Sequence, residues 1–316
     1  MNVIVTGGAG LVGSHLCDSL IRDGHTVLVI DNFVSGRKIN ICHLLGNPSF
    51  ELVEADVIDD PIEFGDVDQI YHLASPASPV GYMNNPIQTH LVNSIGTKRM
   101  LDLARERGAR LLFSSTSEIY GNPEVHPQPE SYFGNVNPVG PRSCYDESKR
   151  FGESITMEYV RQFDLDARIA RLFNVYGPRN DPNDGRVVPA FISFALQGQP
   201  LPVYGDGQQT RSLCYIDDLI TGLRLAMEID GLAGEIINLG NPDERTINEL
   251  GTIISDICGS SAGFIHLPMR EDDPERRCPD ISLAIRLLGW RATTSLRDGL
   301  TETIRYVTDV EGISRA

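Results

Sequence analysis

The sequence is short of positive charge. Its 27 Lys and Arg residues stand against 43 Asp and Glu residues, and the formal net charge is −16 at pH 7. Proteins that bind nucleic acid present a basic face, and so do proteins that adhere to anionic membranes. The charge therefore argues against both partners. Apolar runs of the ~20 residues that a membrane-spanning helix needs are also missing.

Closely spaced cysteines are missing too. The six cysteines are irregularly spaced and form no Cys-x-x-Cys pair, so neither a zinc site nor a disulfide framework is indicated. The seven histidines show no metal-ligand spacing, and we expect no metal ion. Reduced thiols fit a cytosol. The first residues already read as a strand, which leaves no room for a signal peptide. We therefore expect a cytoplasmic protein.

The first half of the chain alternates short apolar runs with helical patterns. Strands rich in Val, Ile and Leu that are separated by helices indicate a parallel sheet covered on both faces. The predicted helices span 10–23, 85–107 and 145–162. The predicted strands span 2–6, 26–30, 50–55, 69–73, 110–114 and 167–173.

Glycines follow the first predicted strand in "VTGGAGLVGSHL". Gly7 would make a tight turn, Gly10 would let the backbone approach a pyrophosphate, and Gly13 would let the helix pack on the strand. The free N–H groups of the helix amino terminus would hold the anion. Asp31, at the end of the second strand, could bond the ribose hydroxyls and would repel a 2′-phosphate. Together these features predict a dinucleotide site for NAD rather than NADP.

The sequence therefore predicts an α/β fold with a doubly wound parallel sheet, a Rossmann domain, over residues 1–175. Beyond that point the pattern loosens after a polar loop, "YGPRNDPNDGR". We expect residues 176–316 to form mainly a smaller α/β lobe for substrate, with segments near 211–240 rejoining the main sheet. The predicted cofactor-binding residues are Gly7, Gly10, Leu11, Val12, Gly13, Asp31, Asn32, Phe33, Ser35, Gly36, Asp56, Val57, Leu73, Ala74, Ser75, Tyr145 and Lys149. Asp56 is equally well explained as a plain turn residue.

A Tyr-x-x-x-Lys pair opens the helix at "CYDESKRFGES". The spacing puts Tyr145 and Lys149 on one helix face. A nearby ammonium lowers the pKa of a phenol, and the resulting phenolate could take a proton from a sugar hydroxyl. The fifth strand ends in "FSSTSEIYG", at the sheet edge where doubly wound folds bind ligands. Thr116 would lie there beside Tyr145 and bond the oxygen being oxidised.

These motifs together resemble the extended short-chain dehydrogenase/reductases that act on nucleotide sugars. The sequence is most similar to the UDP-glucuronate decarboxylases, over residues 1–308. One departure is Ser148, where that family usually has Gly. The motifs that carry the resemblance are "TGGAGLVG", "STSEIYG", "YDESK", "YHLASPASPVGYMNNP", "GNPEVHPQPE", "NPVGPRSCYDE", "NDGRVVPAFI", "YGDGQQTR", "NLGNPDE" and "DDPERRCPD".

The resemblance implies that NAD oxidises C4 of a glucuronosyl ring, with Tyr145 as base, so that the C5 carboxylate is lost as CO2 and UDP-xylose results. It implies that Glu118 works near C5, as acid/base or by positioning water. Sugar-nucleotide 4,6-dehydratases, the alternative, usually carry Asp-Glu where this chain has Ser117 and Glu118. Serine is a very poor acid and would not repel a substrate carboxylate, although Ser117 could also simply cap the strand end. A 4-epimerase would need no carboxylate there.

The resemblance also places substrate and partner. Arg211 and Arg277 would face the diphosphate, and Arg277 would also extend to the reacting region of the sugar. His72 is expected to be a packed residue, and Arg276 a solvated one. Helices 85–107 and 145–162 would pair across a two-fold axis in a homodimer. The predicted substrate-binding residues are Tyr82, Asn174, Arg186, Val188, Tyr204, Arg211 and Arg277, and the remaining alternative is a protein that senses NAD without catalysis.

Overall fold

A computed structural model describes residues 1–61, 65–269 and 276–313. Its central element is a seven-stranded parallel sheet with the strand order β11-β6-β5-β4-β1-β2-β3. The predicted doubly wound sheet is confirmed. The strands are β1 Asn2–Thr6, β2 Thr26–Asp31, β3 Phe50–Glu54, β4 Gln69–His72, β5 Arg110–Thr116, β6 Ala167–Leu172, β7 Val175–Tyr176, β8 Leu201–Tyr204, β9 Thr210–Ser212, β10 Cys214–Tyr215, β11 Ile236–Leu239, β12 Glu244–Thr246 and β13 Phe264–Leu267.

The chain reverses its direction of travel across the sheet at β1. It adds β2 and β3 on one side of β1 and then returns to add β4, β5 and β6 on the other side. The crevice at such a reversal, outside the carboxyl ends of the strands, is where doubly wound sheets bind ligands. The loops that follow β1, β4 and β5 therefore meet at one edge.

Helices cover both faces of the sheet. The alternation within β1 shows why: Val3 and Val5 belong to one apolar core, whereas Ile4 belongs to the core on the opposite face. The helices are α1 Leu11–Arg22, α2 Pro79–Asn84, α3 Pro86–Leu91, α4 Thr97–Arg107, α5 Ser143–Phe163, α6 Val187–Leu196, α7 Ile216–Glu228, α8 Ile247–Cys258, α9 Ser282–Leu288 and α10 Leu296–Asp309.

Two boundaries differ from prediction in ways that matter for the site. Strand β5 continues to Thr116, two residues further than predicted, because β6 pairs with it as far as Thr116 and Leu172. The predicted helix 85–107 is also divided. A π-helical turn, Val92–Gly96, separates α3 from α4. Such turns are rare and frequently mark functional positions.

The carboxyl-terminal lobe contains elements that the sequence did not predict. Parallel β8 and β13 pair there, as do antiparallel β9 and β12. Helix α10 was also missed, although its buried Leu300, Ile304 and Val307 have helical spacing. As predicted, β11 rejoins the main sheet beside β6. A domain boundary near residue 175 stays a prediction. In the part of the chain that the structure describes, no helix combines the length and apolarity needed to span a bilayer.

Candidate active site

A cavity of about 800 Å³ opens at the carboxyl edge of the sheet, between the sheet and the carboxyl-terminal lobe. Every residue predicted to bind cofactor or substrate, or to take part in catalysis, lines this cavity, with the exception of Phe33. Phe33 has a positive φ of 58°, and its ring packs under the Lys38 ammonium at 4.8 Å. Its backbone N–H donates to Asp31 Oδ1 at 2.9 Å. Phe33 therefore shapes the site through Asp31 and does not line it.

The glycine-rich loop after β1 is tightly packed. Gly7 has a φ of +72°, and a Cβ there would lie 2.8 Å from the Ala74 backbone. A Cβ on Gly13 would lie 2.3 Å from the Gly7 carbonyl oxygen. No side chain of the described residues caps the amino terminus of α1 at Gly10. The first N–H groups of α1 therefore remain available to an anion at the cavity wall.

Two acidic residues lie farther along the same wall. Asp31 is buried and accepts hydrogen bonds from the N–H groups of Ala9 and Phe33, each at 2.9 Å. Burial raises the pKa of Asp31, and these hydrogen bonds oppose the rise. Asp56 accepts from Asn32 Nδ2 and from the Ile58 N–H, both at 2.9 Å. Asp56 thus holds a turn and also lines the cavity, so both predictions for it, a turn residue and a cofactor-binding residue, remain open.

The Tyr-Lys pair lies at the start of α5 and is buried. Lys149 Nζ donates to the Ser114 carbonyl at 2.8 Å and lies 5.9 Å from the centre of the Tyr145 ring. Burial lowers the pKa of Lys149 to about 7. Burial also raises the pKa of Tyr145 above its ordinary value, while a hydrogen bond with Thr116 lowers it. The expectation that Lys149 would leave Tyr145 with a lowered pKa is therefore wrong for this structure, because desolvation dominates both groups.

Glu118 is held between two guanidinium groups. It belongs to a 3₁₀ turn, Ser117–Tyr120, whose N-cap is Thr116. Its Oε2 accepts from Arg142 Nη2, and its Oε1 accepts from Arg277 Nη1. Burial alone would raise the pKa of Glu118, but the charges of Arg277 and Arg142 outweigh burial and lower it to about 2. Glu118 is consequently a carboxylate throughout the ordinary pH range.

Arg142 was not predicted as a site residue. It precedes Tyr145 by three residues and Lys149 by seven, so one face of α5 carries all three. That spacing, inside "NPVGPRSCYDE", was the available signal. The neighbouring Asp146 is also buried, and burial together with the charge of Glu118 raises its pKa to about 7.

Tyr82 packs directly on Tyr145. The rings of Tyr82 and Tyr145 stack with centroids 5.1 Å apart and planes 6° from parallel. The Tyr82 hydroxyl is buried, and no described residue bonds it. An unpaired buried hydroxyl is costly, which makes it a ready donor to a ligand in the cavity.

The wall formed by the carboxyl-terminal lobe carries the other predicted substrate residues. Asn174 Nδ2 and Arg277 Nε are buried without partners among the described residues. Arg186 Nε pairs with Asp184 Oδ2 at 2.7 Å, and Arg211 Nη1 donates to the Thr210 carbonyl at 2.8 Å. Because Arg277 contacts Glu118, it lies at the end of the cavity lined by the residues that follow β5. Its predicted contact with a diphosphate stays a prediction. Residues 272–275 of the "DDPERRCPD" motif lie outside the described residues.

Three potential metal ligands meet away from the cavity. The ligand atoms of His126, Glu244 and Cys278 lie within 4.8 Å of one another. Each already has a protein partner. His126 Nε2 is 3.1 Å from Glu244 Oε2, Glu244 Oε1 accepts from Thr210, and Cys278 Sγ donates to the Pro242 carbonyl at 3.5 Å. The cluster is thus satisfied by protein contacts alone.

A dinucleotide-type glycine loop, a Tyr-Lys pair and a hydroxyl-bearing strand end around one cleft define an extended short-chain dehydrogenase/reductase. Comparison with known proteins agrees. The model of the "NAD dependent epimerase/dehydratase family" matches residues 3–240. UDP-glucuronic acid decarboxylase 1 of Xenopus tropicalis is 52% identical over 304 residues, which are 96% of this chain and 71% of the relative. The chain belongs to the NAD dependent epimerase/dehydratase family and, within it, to the UDP-glucuronic acid decarboxylases.

Solved structures show the same fold. DesIV, a dTDP-glucose 4,6-dehydratase from Streptomyces venezuelae crystallised with NAD and TYD, matches with a TM-score of 0.88 and 30% identity over 99% of both chains. A UDP-glucuronic acid 4-epimerase from Bacillus cereus, in complex with UDP-glucuronic acid and NAD, matches with a TM-score of 0.87 and 30% identity. It covers 98% of this chain and 100% of that one.

Proposed function

We propose that this protein converts UDP-glucuronate to UDP-xylose and CO2 through a transient C4 ketone, with a bound NAD that is regenerated in each turnover. The observation that carries the proposal is the binding of one carboxylate, Glu118, by two guanidinium groups. Arg142 and Arg277 carry two positive charges against the one negative charge of Glu118, so one positive charge is left unbalanced. That excess suits a sugar bearing its own carboxylate, and the 52% identical relative is named a UDP-glucuronic acid decarboxylase.

The chain's own residues fit NAD. The amino terminus of α1, which no described side chain caps, suits a pyrophosphate. Gly7 and Gly13 are too closely packed for a side chain, so a ligand can approach the backbone on that wall of the cavity. The buried carboxylate of Asp31 keeps lone pairs for ribose hydroxyls and disfavours a 2′-phosphate. A bound nicotinamide would supply a hydride acceptor, and later a hydride donor, for C4 of the sugar.

Tyr145 takes the proton of the C4 hydroxyl as C4 loses its hydride. Thr116 bonds the same phenol and orients it. Because burial favours the neutral phenol, the phenolate needs positive charge close by. Lys149, with a pKa near 7, supplies that charge only while it is protonated.

Loss of CO2 follows from the position of the ketone. The C5 carboxylate is β to the C4 carbonyl, so the C5–carboxyl bond can break with its electron pair moving toward the C4 oxygen. A proton then adds to C5, C4 regains a hydride, and Tyr145 returns its proton to the C4 oxygen. The proton that C5 gains comes from solvent. Glu118, ionised at neutral pH, carries no proton itself and serves C5 by orienting the water molecule that delivers it.

The remaining substrate contacts follow the cavity wall. We assign the diphosphate to Asn174, whose amide is buried and unpaired among the described residues, and to Arg186 and Arg211. Val188 and Tyr204 would flank the uracil, and the unpaired Tyr82 hydroxyl would donate to the sugar carboxylate.

A 4,6-dehydratase is the second candidate, because DesIV shares the fold. Ser117 argues against it. The residue is buried at the cavity, and a serine hydroxyl cannot protonate a departing C6 hydroxyl as an aspartic acid would.

Two further proposals concern the molecule as a whole. A homodimer is supported by exposed apolar side chains on the paired helices α3 to α5, including Ile87, Ile95 and Phe151. A cytoplasmic location is supported by six free cysteines.

The test is incubation of the purified protein with UDP-glucuronate, with product separation and CO2 detection. UDP-xylose and CO2 are expected, with no net NADH. Turnover of dTDP-glucose or UDP-glucose, with UDP-glucuronate left intact, would overturn the proposal in favour of the dehydratase or an epimerase.

A further inference from the structure

A continuous chain of buried hydrogen bonds runs behind the active site. It begins where the backbone N–H groups of Leu73 and Ala74 each donate to Thr6 Oγ1 at 3.2 Å. Thr6 Oγ1 lies 2.8 Å from His72 Nδ1, and His72 Nε2 lies 3.1 Å from Thr97 Oγ1. These residues end β1 and β4 and begin α4, so the chain crosses from the cofactor loops to the helix layer.

The chain continues into the catalytic helix. Thr97 Oγ1 donates to the Asn93 carbonyl at 2.9 Å, and Asn93 Nδ2 donates to Ser148 Oγ at 3.0 Å. Ser148 Oγ then donates to the Tyr145 carbonyl at 3.0 Å. Asn93 Nδ2 also donates to Ser75 Oγ at 3.0 Å, and Ser75 lines the cavity. One amide therefore ties the catalytic helix to the loop after β4.

The polarity of the chain is consistent along its whole length. The Thr97 hydroxyl donates its one proton to the Asn93 carbonyl, so it can only accept from His72. His72 Nε2 therefore donates to Thr97, and His72 Nδ1 accepts from Thr6. This assigns the Nε2–H tautomer to His72. Burial, aided by the charge of Lys149, lowers the pKa of His72 to about 3, so its ring stays neutral. Neutrality preserves the assigned tautomer at every ordinary pH.

The chain is sealed from water and centred on the π-helical turn. The side chains of Thr6, His72, Asn93, Thr97 and Ser148 are buried, and only the Ser75 branch borders the cavity. Hydrogen bonds in buried surroundings are strong when complete and costly when one member is lost. The extra residue of the π turn, Val92–Gly96, lets Asn93 present its carbonyl to Thr97 while its amide faces Ser148. Ser148 is the position where this chain departs from the glycine usual in the family it resembles.

We propose that this hydrogen-bond chain is a positioning device that fixes the Tyr145 end of α5 against the loops after β1 and β4, with Ser148 as its last link. The proposal rests on the proposed function for its kinetic consequence. Neither Thr97 nor Ser148 lines the cavity, so both act through Tyr145 and Ser75.

Two nearly isosteric variants test it, each with a matched control. Thr97→Val removes the link between His72 and Asn93. Its control is Thr303→Val, since Thr303 is also buried and donates to the carbonyl four residues earlier, at Gly299, yet has no part in the chain. Ser148→Ala removes the last link, and its control is Ser94→Ala, whose hydroxyl donates to the His90 and Leu91 carbonyls of α3.

The first readout is kinetic. Misplacing a catalytic group by a fraction of an ångström lowers kcat, and we expect about a tenfold loss of kcat for Thr97→Val and for Ser148→Ala. The KM for UDP-glucuronate should stay within about twofold of wild type. The double variant should lose less than the product of the two single losses, because both changes break one chain. The controls should keep wild-type kcat.

The second readout does not depend on activity. Amide hydrogen exchange in nucleotide-free protein should become faster at residues 72–76 in both test variants and stay unchanged in both controls. Equal kcat and equal exchange in test and control variants would overturn the positioning role. If Thr97→Val fails to fold, Ser148→Ala decides alone. If the wild-type protein makes no UDP-xylose, the proposed function is refuted. The hydrogen-exchange result alone then tests the positioning role of the hydrogen-bond chain.

Discussion

Arg277 donates to the carboxylate of Glu118 from a position 159 residues further along the chain. Arg142, the N-cap of α5, binds the other carboxylate oxygen. The site thus sets one negative charge between two positive ones.

Replacing Arg142 with Gln should move the acidic limb of the pH profile upward. Glu118 has a pKa of about 2 because two cations oppose its burial, so losing one cation raises that pKa by roughly 1–3 units. Activity that needs the carboxylate would then fall at a higher pH than in wild type. The measurement is kcat/KM for UDP-glucuronate at a series of pH values from about 4 to about 8.

The matched control is Arg161→Gln, an exposed arginine on the same helix. Asp146 titrates near pH 7, and Arg142 also lowers its pKa, so its titration moves in the same direction. An Arg142→Gln profile that overlays the wild-type profile would show that Arg142 does not set the charge of Glu118.

Replacing Ser117 with Asp should weaken binding of the anionic sugar. A second carboxylate beside Glu118 would cancel the excess positive charge, and we expect KM for UDP-glucuronate to rise about tenfold or more. Binding of neutral UDP-glucose, measured by calorimetry, should change much less. Ser117→Ala is the control. Equal losses for both ligands would point to distortion of the site instead of charge repulsion.

Replacing Tyr145 with Phe should lower kcat by about 10²–10⁴-fold, the usual contribution of a general base. The ring stack with Tyr82 would survive, so the fold and NAD binding should be retained. The control is Tyr132→Phe, since the Tyr132 hydroxyl accepts from the Glu124 N–H and does not line the cavity. A Tyr145→Phe protein with near-normal turnover would remove the tyrosine from the mechanism.

The buried Lys149 should lower the free energy of unfolding of the nucleotide-free protein. Its folded pKa of about 7 lies below the unfolded value of 10.5, so the folded state binds fewer protons between these values. The cost is full below pH 7 and is relieved as pH rises toward 10.5. Lys149→Met should therefore abolish activity yet raise Tm by about 2–4 °C at pH 6.5.

The Tm difference between Lys149→Met and wild type should shrink as pH is raised toward 10, which melting curves across that range can measure. A variant that melts below wild type at every pH would mean that the hydrogen bond from Lys149 to Ser114 outweighs desolvation.

Charges on the exposed apolar face of helices α3 to α5 should dissociate the proposed dimer. Ile95 and Phe151 are 45% and 48% exposed, and a glutamate at either position would be desolvated in a paired interface. Sedimentation velocity should show monomers for Ile95→Glu and Phe151→Glu. Ile265→Glu, equally exposed in the other lobe, should sediment like wild type. A monomeric wild-type protein would end the dimer proposal.

The sequence by itself determined the sheet and the chemistry that its edge carries. The apolar run of residues 2–6 placed β1 to the residue, because a strand that is buried on both faces of a parallel sheet is apolar throughout. The sequence also showed the glycine turn before α1, the hydroxyls of β5 and the Tyr-Lys pair. Each depends on spacing within a few residues.

Only the tertiary structure decided the states of these groups and their partners. The contact between Glu118 and Arg277, the stacking of Tyr82 on Tyr145 and the bridge from Asn93 to Ser148 join distant segments. No local pattern encodes such contacts. The raised pKa of Tyr145 likewise depends on burial, a property of the packed molecule, which is why spacing alone predicted the wrong direction.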